Sequence, residues 1–160
     1  MINFLFGTVV GKILTTFLIS MVPVIELRGA IPWATGMGLS PAIAIPVAMI
    51  GNLIPIPFII IFIKKIFAWM RSVSPKLNKV VDRMEAKAEK NKEKVLKYAF
   101  WGLAIFVAIP LPGTGAWTGA LVAAMLDMSL KKAFPSVVLG VVIAGIIVAF
   151  VSYGAAAIFF

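Results

Sequence analysis

The chain has 160 residues, 62% hydrophobic and 13% charged, with 15 Lys and Arg against 6 Asp and Glu and a net charge of +9. A soluble domain is about a quarter charged, so this composition points to an integral membrane protein. With no cysteine and no histidine, disulfides, Cys/His zinc sites, thiol catalysis and a histidine proton relay are excluded. A basic chain can bind nucleic acid only on a solvent-exposed fold, which this sequence does not offer, so no nucleic-acid partner is expected.

The opening "MINFLFGTVVGK" has no basic region and no small-residue cleavage signal, so it reads as a surface segment rather than a cleaved signal peptide. The first apolar region, about 12–39, is interrupted by Pro23, Glu26, Arg28, Gly29 and Pro32. A continuous helix would break there and leave backbone groups unsatisfied in lipid. A re-entrant hairpin is expected instead, with each arm about 15–18 Å long, roughly half the membrane. Residues 41–63 carry no charge and read as a spanning helix kinked at Pro46, Pro55 and Pro57.

Eleven of the 15 cations fall within the linker 64–97. From 76 to 97, Leu77, Val80, Val81, Met84 and Ala88 recur at helical spacing, which predicts an amphipathic helix on the membrane surface, attracted to lipid. Trp69 and Trp101 flank the linker as interfacial anchors, and the excess of cations makes it cytoplasmic. Residues 98–128 are again interrupted, by "PLPGTG", and read as a second hairpin; about 133–157 spans.

The halves resemble each other. Ser40 matches Ser129, Pro46 matches Pro135 and Gly51 matches Gly140 at one offset, and Pro23 matches Pro110 at an offset two residues shorter. The expected fold is an all-α integral membrane protein with two inverted-topology repeats, 1–63 and 98–160, each a re-entrant helical hairpin followed by a transmembrane helix. One crossing separates the hairpins, an arrangement typical of transporters, with the tips meeting near the midplane. Two spans and two half-spans bury little surface alone, so a homo-oligomer is expected.

Glu26 and Arg28 are the leading site candidates, beside Gly29. Each charge at a helix centre costs about 2.5–3.5 kcal/mol, so both need partners or water. Glu26 could carry a proton or bind a cationic group, and Arg28 could grip an anion; a structural pair pinning the hairpin is the alternative. The second tip offers Pro110, Pro112, Gly113, Thr114 and Gly115, followed by Trp117 and Thr118. Thr114 could cap the next arm, whose amides could face an anion. Asn52, inside the first span, suits a structural hydrogen bond or a substrate contact, and Asp127 suits a helix cap. No metal site, cofactor or catalysis is expected.

The stretches "PVIELRGAIP", "GN" followed by "PIP", and "PLPGTGAWTG" resemble the small multidrug export family of bacterial and archaeal membrane proteins. The chain is also distantly similar to the DedA family. That resemblance implies paired hairpins with acidic and Arg residues and, for some members, translocation of a lipid phosphate under an ion gradient. DedA proteins typically carry a further Arg near the second glycine turn, where this chain has Gly and Thr. The expected function is a transporter or flippase in the prokaryotic plasma membrane. It would move a small amphipathic substrate with an anionic head by alternating access, with proton or ion coupling and membrane lipids as partners. An exporter of cationic amphiphilic drugs and a membrane scaffold are the alternatives.

Overall fold

Proline, glycine and left-handed backbone set where each helix of this chain stops. The computed structural model describes residues 7–96, 100–111 and 113–159. Among them every regular element is a helix: α1 Val9–Met21, α2 Glu26–Gly36, α3 Pro41–Leu53, α4 Pro55–Val73, α5 Pro75–Leu96, α6 Phe100–Ala108, α7 Ala116–Met125 and α8 Leu130–Phe159.

The Thr8 side chain accepts the Gly11 amide at 3.1 Å, so α1 begins ahead of Lys12, where the first arm was expected to start. Helices α1 and α2, of 13 and 11 residues, pack against each other across the turn that follows Met21. Their open end is tied where Lys12 Nζ donates to the Met37 carbonyl at 2.6 Å. This puts a cation on the C-terminal carbonyls of α2, the negative end of its dipole.

Ile54 keeps helical angles between α3 and α4, so the two run on as one apolar rod of 33 residues, Pro41–Val73. The expected span ended at 63; the helix continues because nothing between Lys64 and Ser72 breaks it. With Leu130–Ile158 it makes two helices, among the described residues, long and apolar enough to cross a membrane.

Both short pairs end alike. After α2, Gly38 takes φ +69 and the Leu39 amide reaches back to Ala34 O at 3.0 Å. After α7, Asp127 takes φ +53 and the Met128 amide reaches Ala123 O at 2.9 Å. This is one helix-stop motif used twice, with glycine in the left-handed position once and Asp the other time. Asp127 is thus a C-terminal stop, and it also pairs with Lys64 at 2.6 Å.

The first arm of each pair packs on the long helix of its own half, α1 on α3 and α6 on α8. The second arm packs on the long helix of the other half, α2 on α8 and α7 on α4. Two glycines permit the first kind of contact. A Cβ on Gly51 would lie 2.1 Å from Ser20 Oγ and 2.7 Å from Phe17 O. On Gly140 it would lie 2.6 Å from Val107 Cβ and 2.7 Å from Ala104 O. The core between the halves holds Leu27, Ile31, Ile56, Leu103, Val107 and Val137.

Helix α5 lies against α4, α6 and α7. Its apolar stripe explains this: Val81 is fully buried, while Leu77 and Met84 are half-buried. Val80, expected on the same face, is exposed, and the Ala88 side chain lies outside the described residues. Arg71 of α4 holds the polar edge of α5 through Asp82 at 2.8 Å and Glu85 at 2.7 Å.

Candidate functional site

The first tip is tight and strained. Val24 has φ 76 and Glu26 φ 51, the left-handed region that side chains rarely adopt. Such a conformation costs on the order of 1–3 kcal/mol and persists only where surrounding contacts enforce it. For Glu26 those contacts come from the second tip, whereas Val24 is exposed.

Glu26 is buried, and its carboxylate accepts the Trp117 amide at 3.0 Å on one oxygen and the Ala116 amide at 3.2 Å on the other. These amides open α7, whose N-cap residue Gly115 has no side chain to cap it. A carboxylate from the other half of the chain therefore caps the positive end of α7. Gly115 is what admits it, since a Cβ there would lie 1.8 Å from Glu26 Oε2.

Arg28 does the complementary task. Its guanidinium donates to the carbonyls of Leu111, of Ile109 at 2.9 Å and of Val107 at 3.3 Å. These carbonyls lie at and just beyond the end of α6, where Ile109 O also accepts the Leu111 amide at 2.8 Å and Leu111 O the Thr114 amide at 3.2 Å. Arg28 also donates to Thr114 Oγ1 at 3.3 Å. Thr114 was expected to cap α7; its hydroxyl turns back instead, 2.6 Å from Ile109 O and 2.9 Å from Leu111 O. Two residues apart, Glu26 and Arg28 serve the opposite ends of one broken helix, negative charge on its N-terminal amides and positive charge on its C-terminal carbonyls. Neither is left without partners.

Beside this junction lies a cavity of about 270 Å³. Glu26, Arg28, Trp117 and Thr118 line it, with Met84 and Lys87 contributed by α5. Lys87 leans over Gly113, whose φ of +89 and open Cα leave room; a Cβ there would lie 3.2 Å from Lys87 Nζ. A second cavity of about 300 Å³ lies beside Arg28, between Pro32, Pro110 and Ile147, Val148, Val151 and Ser152 of α8. Arg28 is common to both cavities.

Gly29 is half-buried behind the tip, where a Cβ would lie 2.3 Å from its own neighbour Ile25. Asn52 is fully buried, and neither of its amide atoms has a partner among the described residues. Pro112 lies outside the described residues. Lys87 and Met84 were not singled out for the site from sequence. The available signal was a cation three residues after Met84 on an amphipathic helix, a spacing that shares a face. Among the described residues no cluster of carboxylates could hold a metal ion.

The family model described as "Putative small multi-drug export protein" matches residues 26–147, from the first charged residue of the tip through most of α8. No curated protein and no solved structure matches the chain.

Proposed function

The chain belongs to the small multi-drug export family, and on that premise we propose that it is a secondary transporter that moves an amphipathic substrate with an anionic head group past its two tips. One observation carries this reading: Arg28 stands between two cavities and is anchored to the broken end of the opposite tip.

The arms α1, α2, α6 and α7 have 13, 11, 9 and 10 residues. At 1.5 Å per residue each reaches about 14–20 Å, short of a hydrocarbon core of about 30 Å, which favours re-entrant pairs over spans. The shared helix stops at Gly38 and Asp127, and the shared glycine contacts at Gly51 and Gly140, favour two repeats. With one long crossing between them, these repeats have inverted topology, and the basic linker faces the cytoplasm of a prokaryotic cell.

The anionic head follows from charge. The cavity presents Arg28 and Lys87 against one carboxylate, and both oxygens of that carboxylate already accept backbone amides. The likeness to DedA proteins belongs to this reading too: Lys87 brings to the second tip a cation that the tip itself lacks. In the coupling step, protonation of Glu26 weakens its hold on the α7 amides, and the substrate's anionic group takes its place there. Movement of α7 relative to α2 then closes one cavity beside Arg28 and opens the other. Homo-oligomeric assembly is part of the proposal, since two long helices and two short pairs bury little surface alone.

A buried carboxylate at the heart of the site also favours a second reading, export of cationic amphiphiles. Proteoliposome uptake separates the two. Under the first reading alkyl phosphates move and alkyl ammonium compounds do not, and Arg28→Gln lowers phosphate transport at least tenfold. Ammonium uptake that survives Arg28→Gln and fails in Glu26→Gln would replace it with the second.

A further inference from the structure

The polar cavity borders an apolar groove. Two of its walls, Met84 and Trp117, are also walls of a groove of about 870 Å³. This groove runs beside α4 from Met21, Ile54 and Pro55 to Trp69 and Met70. Ile54 to Met70 covers about 24 Å of helix at 1.5 Å per residue. Apart from Lys65, the groove is lined by apolar side chains and tryptophan. A head chamber holding charges and a chain-length apolar channel thus meet at one pair of side chains.

A second observation marks the meeting point. Trp117 Nε1 is buried with no hydrogen-bond partner among the described residues. A buried donor left unpaired costs about 1–3 kcal/mol, so a site that keeps one at the boundary of two chambers suits a ligand that brings an acceptor there. The oxygen that joins a polar head to an alkyl chain is such an acceptor.

We infer that cavity and groove hold one molecule, a long-chain amphiphile whose head lies among Glu26, Arg28 and Lys87, whose chain lies along α4, and whose linking oxygen accepts from Trp117. This deepens the proposed function and rests on it for the transport step. The groove solves a physical problem of that step. Lipid tails are as apolar as leucine, so a chain gains little by leaving lipid for protein. It would lose much by being drawn through the polar cavity behind its head. A groove bordering the cavity at Met84 and Trp117 lets the head move inward while the chain stays in apolar surroundings throughout. It also predicts selection by chain shape. Rigid or short-tailed compounds with the same head would enter the cavity without filling the groove.

The test is photolabelling in lipid nanodiscs with hexadecyl phosphate and hexadecyl trimethylammonium, each bearing a terminal diazirine. Adducts are mapped by peptide mass spectrometry, with Phe150 and Ile146 as lipid-exposed reference positions on α8, 81% and 59% exposed. The expected result is labelling at Phe58, Phe62 and Ile66 at least fivefold above the reference positions, competed by unlabelled hexadecyl phosphate but not by butyl phosphate. Ile66→Trp, at an exposed groove position, should remove that enrichment and leave labelling at Phe150 unchanged. Enrichment in the groove with the ammonium probe alone would keep the one-molecule site and overturn the anionic head. Equal labelling of groove and reference positions by both probes would make the groove ordinary lipid-facing surface and overturn the inference, whatever the transport assay gives.

Discussion

Glu26 and Arg28 lie two residues apart, yet they reach groups 90 and 81 residues further along the chain. Removing Glu26 leaves two buried amides without an acceptor and uncaps α7, so Glu26→Ala should cost about 2–4 kcal/mol in denaturant unfolding from mixed micelles. Gly115→Ala should cost about as much, because its Cβ would occupy the carboxylate's place. Since both changes break one contact, the double variant should cost little more than either alone, and additive costs would contradict the cap. Gly113→Ala should cost about 1–2 kcal/mol from its left-handed backbone alone. That two charges between prolines needed partners was legible in the sequence. The partners were not, because they are backbone amides and carbonyls at a helix break, and no side-chain pattern identifies those. Thr114 shows the same limit: a hydroxyl before a helix suits a cap, but the carbonyls behind it were nearer.

Among the helices, α5 tests how far an amphipathic pattern can be taken. Its apolar stripe was legible, but periodicity does not say whether lipid or protein covers the stripe. Val81 is covered by protein, and Lys87 is carried onto the second tip as a consequence. The exposed pairs of Arg71 with Asp82 and Glu85 help hold it there. At 1 M salt the screening length falls to about 3 Å, so these pairs weaken. Amide exchange in α5 should then accelerate severalfold while exchange in α8 stays unchanged. If α5 exchanges at the same rate in low and high salt, the pairs do not hold it. The continuation of α4 past Lys64 to Val73 was hidden because charge was read as the end of a span. Leaving the hydrocarbon does not stop a helix; Ser74 and Pro75 do.

For the whole molecule, each half contributes a long apolar helix and a short pair, and each short pair bridges to the other half through its second arm. The alternation of interrupted and uninterrupted apolar regions made this order legible in the sequence. The exchange of second arms was not legible, because it depends on which faces of α2 and α7 find a partner after both long helices are in place. The exchange puts the two tips together, with Arg28 between two cavities, and the account stands on those cavities opening in turn. The absence of cysteine makes the decisive measurement direct. Thr118→Cys places a thiol in one cavity and Ser152→Cys in the other, each a small change. Each variant is labelled in proteoliposomes with an impermeant maleimide added from either side, with and without hexadecyl phosphate. The account predicts labelling from opposite sides, and a reciprocal change when the amphiphile is added, one thiol gaining reactivity as the other loses it. Labelling of both thiols from the same side, or no change on adding any amphiphile, would contradict it.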